Sequence, residues 1–388
     1  MNPVDDLRAV RPAHLGDRPV DEHTRSAELA RAMAGPRQAL RRRTAVRPVW
    51  GISLAGAAAA VTAVAVIVSG NGPAPDPRAP DGGPRIAPSA TPDVTASTTP
   101  KVKLSAREVL LAAAEEADRQ PDGSGAYWHS ASARRTLYVA KHGGYVVEQR
   151  SRTETWTPRA LKGEQWFRSQ TLGARPATEA DRKAWERAGS PPEIKVAIPG
   201  NKMKLSVALP TAARPARTER SPVANGQVFW LGRNVTMKDL RGLPSDPDKL
   251  KKWLAKSYDG HDTESDSVPM AQDTWLFRVS VGLITDMPVT PAVRGAAFRM
   301  LADLDDVEVI ENVTDAQGRH GTAVAVEERS KEFGVLQSRL VFDESSSRAL
   351  AIESVVVRPG TTQIGLEPGT VWNSTALIES GWTNSKPS

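Results

Sequence analysis

The order of apolar and polar positions divides the chain of 388 residues into a polar start, one uninterrupted apolar run, a proline-rich stretch and a C-terminal part of mixed periodicity. The apolar run covers residues 49–68 and contains no charged side chain. A helix of about 20 apolar residues rises about 30 Å, which is the thickness of the hydrocarbon core of a bilayer. The run therefore predicts a transmembrane helix.

Basic residues flank this run on one side only. Arg41–Arg43 and Arg47 come directly before it, and the next basic residue is Arg78. Because basic flanks stay in the cytoplasm, this asymmetry predicts a cytoplasmic head at residues 1–48 and an extracytoplasmic C-terminal part. We expect a single-pass protein of the cell membrane, anchored through residues 49–68.

Three alternatives to a retained anchor deserve comparison. A cleaved signal peptide has a shorter apolar region of about 7–15 residues and a small-residue cleavage site, which the end of this run at Ser69-Gly70 does not supply. Arg42-Arg43 resembles a twin-arginine export signal only loosely. A buried helix of a soluble protein does not explain the length of the run or the one-sided arginines. A retained anchor explains the pattern best.

The segments on either side of the apolar run lack the periodic apolar positions that a folded hydrophobic core requires. Residues 21–34 form a candidate helix with a thin apolar face, which is either a nascent helix in a disordered tail or a docking helix for a cytoplasmic regulator. Residues 69–103 are rich in Pro, Ser and Thr, which favours polyproline II. At ~3.1 Å per residue such a linker reaches on the order of 100 Å. The patterned domain is residues 104–388.

Helical patterns in this domain share a capping residue followed by apolar side chains three or four positions apart. The clearest is a capping box in which Ser105 precedes Glu108 by three residues. The predicted helices cover residues 105–119, 178–188, 249–258 and 291–304. Residues 274–283 fit a helix or a strand.

Strand patterns are more numerous and end in two hairpins. The predicted strands cover residues 126–132, 135–140, 145–156, 163–171, 228–231, 307–314, 321–327, 336–343 and 349–357. Gly318 supplies the positive φ that the turn between the strands 307–314 and 321–327 requires. Residues 189–225 are proline-rich and predict an irregular surface excursion, and a last strand is placed near Val371-Trp372.

Consecutive strands joined by tight turns indicate an antiparallel meander. The predicted fold class is α+β: a curved antiparallel sheet, half-barrel-like and covered by helices, preceded by one transmembrane helix and a disordered linker. No part of this architecture carries a catalytic motif.

Charge and cysteine content narrow the function classes. The net charge is +6, but residues 1–50 hold ten arginines and six acids, which leaves the remainder near neutral. Without a basic stripe in the exported part, nucleic acid is not an expected partner. The chain contains no cysteine, which removes disulfides, thiolate catalysis and the commoner zinc sites.

The six histidines have no zinc-ligand spacing, and no nucleophile elbow, P-loop or dinucleotide motif occurs. His129 and His142 flank a predicted hairpin and could meet in space, but solvated or core-packed histidines are the preferred interpretation. Asp246 and Asp248 are interpreted as helix-capping residues, and Asp305-Asp306 as a loop. We predict no cofactor and no metal. Paired carboxylates for glycoside hydrolysis need no local motif, so this class stays open.

Ten tryptophans are many for a chain with four tyrosines and six phenylalanines. They serve either as large core anchors or as the lining of a hollow for a lipid, glycan or peptide. The candidates for such a hollow are Trp128, Trp156, Trp166, Trp230 and Trp275.

The segments Glu154-Thr155-Trp156, Glu164-Gln165-Trp166-Phe167 and 291–313, followed by Thr314-Asp315 and Gly318, resemble a family of actinobacterial single-span membrane proteins. Such proteins are often encoded beside extracytoplasmic-function sigma factors, so the resemblance implies envelope signalling. The exported domain is also similar in layout to lipoprotein-carrier-like half-barrels. The head lacks the His/Cys zinc motif common in anti-sigma domains.

Two functions follow as hypotheses. The preferred one is a non-enzymatic binding or sensor protein, whose exported domain holds a lipid or apolar ligand and whose head reports to a cytoplasmic regulator. The alternative is an envelope hydrolase acting on glycan or peptide. A cleft lined by tryptophan would favour the first, and a His–acid or acid–acid pair at the base of a cleft would favour the second.

Overall fold

The structure, a computed structural model, describes residues 105–197, 206–222, 227–231, 233–262, 265–330 and 333–387. All of these belong to one compact unit. The predicted head, apolar run and linker lie outside the described residues. Within the described ranges, no helix combines the length and the apolar character needed to cross a bilayer.

The helices begin where the sequence places capping residues. They are α1 (Ala106–Arg119), α2 (Glu179–Arg187), α3 (Met237–Arg241), α4 (Pro247–Ala255), α5 (Gln272–Thr285) and α6 (Pro291–Ala302). The Ser105–Glu108 capping box is present, and Thr290 caps α6. Four predicted helices are thereby confirmed. The ambiguous segment 274–283 is helical, and the short α3 was not predicted.

Fifteen strands are seen in the described ranges. They are β1 (Tyr127–Val139), β2 (Val146–Pro158), β3 (Glu164–Pro176), β4 (Glu193–Ala197), β5 (Ser206–Pro210), β6 (Arg217–Pro222), β7 (Gln227–Trp230), β8 (Arg233–Thr236), β9 (His261–Asp262), β10 (Ser265–Pro269), β11 (Glu308–Thr314), β12 (His320–Ser330), β13 (Gly334–Asp343), β14 (Arg348–Pro359) and β15 (Val371–Thr383).

Nine of these strands form one antiparallel sheet in the order β11-β12-β13-β14-β15-β1-β2-β3-β6. The meander β11–β14 is confirmed, and Gly318 has the expected positive φ of 80°. The fold is α+β, a large antiparallel sheet that carries helices. The last strand, β15, joins the C-terminal meander to the N-terminal strands.

Two strand predictions were wrong. The segments 126–132 and 135–140 form one continuous strand, β1, because β2 and β15 pair with it on both sides. Residues 189–225 are not simply irregular, since they contain β4, β5 and β6. Pro210 and Pro222 are the last residues of β5 and β6, a position at which a sheet tolerates proline.

One face of the sheet carries the helices. The main apolar core joins α1, α3, α4, α5 and α6 to this face through Trp128, Val324, Val326, Leu340, Phe342 and Ile352. Toward β1, β2 and β3 the same face becomes polar, and Ser132 Oγ and Thr153 Oγ1 share a hydrogen bond of 2.9 Å. A second apolar cluster packs the β4–β5 hairpin against the ends of β1, β2 and β3. The helices thus leave part of the polar strand surface uncovered.

Candidate ligand-binding pocket

A pocket of about 370 Å³ lies where the C-terminal end of α1, the first turns of α6, the β13–β14 turn and β15 meet. We call it the Arg294 pocket. Its charged lining residues are Asp122, Arg294, Arg348 and Glu379, and its apolar lining includes Trp128, Ile378 and Trp382. Its volume is within the range of small-molecule sites, about 300–1,000 Å³.

Two indoles form the apolar wall. Trp128 on β1 and Trp382 on β15 are cross-strand partners, and their rings meet edge to face with centroids 5.5 Å apart. Trp128 is only 5% exposed, and its Nε1 donates a 2.9 Å hydrogen bond to the main-chain oxygen of Asp286. The wall is therefore fixed on one side by the sheet and on the other by the end of α5.

Cations surround the outer indole. The guanidinium carbons of Arg159 and Arg241 lie 5.6 and 5.5 Å from the centroid of the Trp382 ring. Arg241 also donates a 2.5 Å hydrogen bond from Nη2 to Asp122. The Asp122 carboxylate is thereby neutralised by Arg241, and Glu379 lies 3.5 Å from His129.

Arg294 lines this pocket without an ion pair to another described residue, and Arg348, which is exposed, is a second lining cation. The Nε of Arg294 is buried without a hydrogen-bond partner among the described residues. Burial lowers the pKa of the Arg294 guanidinium, and the charge of Asp122 partly offsets this. An arginine stays protonated despite such a shift. Arg241 Nη1 is a second buried N–H group without a partner in the described ranges. The positive charge of Arg294 therefore favours a negative group in the pocket.

The serines of the β13–β14 turn are occupied by the protein itself. Ser347 Oγ donates to Ala113 O at 2.7 Å, and Ser346 Oγ donates to Asp343 at 2.9 Å. These bonds tie the turn to α1 and shape the rim. Behind the wall, burial raises the pKa of Asp286 to about 7, against a hydrogen bond from Thr285 that lowers it.

The five tryptophans predicted to line a hollow lie in separate places. Trp128 lines the Arg294 pocket, and Trp275 is 1% exposed in the helical core. Trp230 stacks on Trp253 at 5.9 Å between centroids. Trp156 and Trp166 are cross-strand neighbours on the opposite face of the sheet from Trp128, since they pair in register with each other and side chains alternate along a strand.

The two histidines that flank the predicted hairpin are far apart. His129 is near the start of β1, and about 30 Å of extended strand separates it from Val139. His142 is exposed in the turn beyond that strand. His129 stacks on Trp156 with centroids 4.6 Å apart, and its nitrogens lie 3.8 Å from Glu154 and 3.5 Å from Glu379. Because β1 is one strand and not a hairpin, the two histidines do not meet.

No group of three or more His, Asp or Glu side chains in the described ranges is arranged to hold a metal ion. The sequence reasoning named Trp128 but missed Trp382 and Arg294. The available signal for Arg294 was a charged residue in a mostly apolar helix pattern, directly after the capped first turn of α6.

Comparison with protein-family models gives no match, and comparison with curated proteins gives none. Among solved structures, the chain is weakly similar to a LolA superfamily protein from Nitrosomonas europaea. The alignment covers 74% of this chain and 96% of that chain, with 10% identity and a TM-score of 0.17. A score this low carries no argument about fold or function, and sigma-factor association finds no sequence-level support in these comparisons.

Proposed function

We propose that the chain is a non-catalytic, single-pass binding or sensor protein of the cell envelope, anchored by residues 49–68, whose extracytoplasmic domain holds a ligand in the Arg294 pocket. The observation that carries the proposal is the pocket itself, which is lined both by an indole pair and by a guanidinium without an ion pair to another described residue. Apolar walls with a few placed polar groups are typical of ligand sites. The head would report occupancy to a cytoplasmic regulator, in envelope-stress or sigma-factor signalling.

The half-barrel layout belongs to the same proposal. Arg319, directly before β12, donates to Leu377 O on β15 at 2.7 Å. Two strands lie between β12 and β15, so a flat sheet would separate them by about 14 Å, beyond the reach of one arginine. The contact supports a sheet that curls over the face opposite the helices.

The hydrolase alternative would need a nucleophile or a water molecule beside its histidine. At His129, the candidate for that role, the imidazole is instead covered by the Trp156 ring, and both carboxylate contacts are longer than a hydrogen bond. Binding is therefore the function that the geometry favours.

The test of binding is solvent extraction and mass spectrometry of compounds that co-purify with the full chain. Ile378, 42% exposed in the pocket lining, is replaced in Ile378→Trp to fill the pocket. Ile364→Trp, at a residue 69% exposed and not part of that lining, is the matched control. We expect the same compound to co-purify with the wild type and with Ile364→Trp, and to be absent from Ile378→Trp. Equal amounts in all three proteins, or none in any, would refute the proposal.

Topology is tested separately, because the chain has no native cysteine. Single cysteines at Ser26→Cys and at the exposed Ala160→Cys are treated with a membrane-impermeant maleimide in intact cells. The proposed orientation requires labelling at position 160 alone until the membrane is permeabilised. The reverse pattern would overturn the predicted orientation.

A further inference from the structure

The charges of the Arg294 pocket define the ligand more narrowly than a pocket volume does. Asp122 is already bound by Arg241, and the Glu379 carboxylate lies beside His129, whose ring stacks on Trp156 on the opposite face of the sheet. No side-chain hydrogen bond or ion pair joins Arg294 to another described residue. A half-buried guanidinium in this position costs desolvation free energy that a bound anion would recover.

We propose that the Arg294 pocket binds a small aromatic carboxylate, whose carboxylate accepts hydrogen bonds from Arg294 and whose ring packs against Trp128 and Trp382. This inference rests on the proposed binding function and names the ligand class for it. The carboxylate supplies hydrogen-bond acceptors for the guanidinium. The edge-to-face indole pair supplies an aromatic surface against which the ring of the ligand packs.

The charges of the lining favour an anion. Arg294 and Arg348 are its two cations, and its Asp122 carboxylate is already bound by Arg241. The Glu379 carboxylate lies instead beside His129, whose ring stacks on Trp156 on the opposite face of the sheet. A negative ligand group is therefore favoured over a neutral or a cationic one. The aromatic body follows from the wall, because the indoles leave an apolar surface that a compact polar anion would not cover.

The experiment uses the full chain in lipid nanodiscs, with empty nanodiscs as the blank, and ligand-observed saturation-transfer NMR titrations. The probes are 3-phenylpropanoate, its neutral amide 3-phenylpropanamide and its cationic amine 3-phenylpropan-1-amine. They share one aromatic body and differ in charge. We expect saturable binding of the carboxylate and about ten-fold weaker binding of the amide, because a hydrogen bond to a charged group is lost. We expect still weaker binding of the amine.

Three variants assign the effect to the pocket. Arg294→Gln should remove the preference for the carboxylate over the amide, and Arg294→Lys should retain part of it. Arg107→Gln is the matched control, because Arg107 is 62% exposed in a surface ion pair with Asp303. It should leave the preference unchanged. Ile378→Trp should abolish binding of all three probes, and thermal unfolding of each variant verifies that it is folded.

Equal affinity for the carboxylate and the amide in the wild type, or an unchanged preference in a folded Arg294→Gln variant, would overturn the inference. If the wild type binds the amide and Ile378→Trp does not, the pocket still holds a ligand, and the proposed binding function is retained. If none of the three probes binds saturably, the carboxylate class is refuted, and the co-purification experiment decides the proposed function by itself.

Discussion

Asp315 holds Arg319 through two hydrogen bonds, of 2.8 Å from Nε and 2.5 Å from Nη2. The guanidinium then donates to Leu350 O at 2.6 Å and Leu377 O at 2.7 Å. Both carbonyls lie at breaks in strand register, in β14 at Leu350 and in β15 beside Ile378. A bulge leaves a backbone group unpaired, and Arg319 satisfies one at each break. The pair therefore closes two defects in neighbouring strands.

Asp315→Ala should lower the free energy of unfolding by about 3 kcal/mol, because it leaves a partly buried arginine without its counterion and frees it from the bulged carbonyls. The Asp315 carboxylate itself is fully buried. Urea unfolding followed by circular dichroism measures the change. The matched control is Arg182→Ala, in an ion pair with Glu179 that is about half exposed. That variant should unfold at the wild-type midpoint, and an equal shift in both variants would contradict the role assigned to Asp315.

Two helix glycines should respond in opposite directions to alanine. At Gly295 in α6 a Cβ would collide with Asp118 Oδ1 and lie 2.9 Å from Ala114 O on α1. Asp118 cannot simply swing away, because Arg299 binds it at 2.5 Å. Gly295→Ala should therefore destabilise the protein by about 1–3 kcal/mol through overpacking. At Gly282 in α5 a Cβ would have no neighbour within 4 Å, so Gly282→Ala should stabilise by up to about 1 kcal/mol.

Thermal and urea unfolding of the two glycine variants measure the change in the free energy of unfolding for each, and therefore its sign. Helix propensity alone would stabilise both variants. A stabilised Gly295→Ala protein would therefore mean that α1 and α6 do not approach as closely as the structure shows.

The buried Asp286 predicts a pH dependence of stability. Its pKa is raised to about 7 by burial, whereas an unfolded aspartate has a pKa of about 3.9. Between these values the unfolded chain ionises and the folded protein stays protonated, so the free energy of unfolding falls as the pH rises from about 4 to about 7. Asp286→Asn cannot ionise. It should gain stability relative to the wild type between pH 4.5 and pH 8, on the order of 3 kcal/mol.

Urea unfolding of the wild type and Asp286→Asn at these two pH values gives the difference directly. A difference that stays constant with pH would show that Asp286 ionises in the folded protein as it does in the unfolded chain. A difference of the opposite sign would place a cation beside it.

Local signals account for the parts of the fold that the sequence predicted. The Ser105–Glu108 box and Thr290-Pro291 specify the starts of α1 and α6 within one helical turn, independently of any distant partner. The turn at Gly318 likewise sets the β11–β12 hairpin. By contrast, β4, β5 and β6 are short and end near prolines, and only pairing with residues elsewhere makes them strands.

The site was less accessible to sequence reasoning than the fold. Trp128 was among the candidates, but an aromatic residue does not reveal whether it fills a core or lines a pocket. Arg294 and Trp382 are brought to Trp128 by the β1–β15 pairing and by the packing of α6 on α1, over separations of more than a hundred residues. No local spacing in the sequence predicts that these residues share a pocket, so the unpaired guanidinium could be recognised only from the three-dimensional structure.

Strand β15 provides the last prediction, because the tail was expected to contribute one short strand and instead forms a central one. It pairs with β14 on one side and β1 on the other. A chain that ends at Thr370 would therefore split the sheet and expose two long, unpaired edges, which favour aggregation. We expect this truncation to abolish soluble, protease-resistant protein, whereas a chain that ends at Ser385 should keep wild-type resistance. Limited proteolysis and gel filtration compare the two. A resistant monomer from the shorter chain would show that the meander and the N-terminal strands fold without their connecting strand.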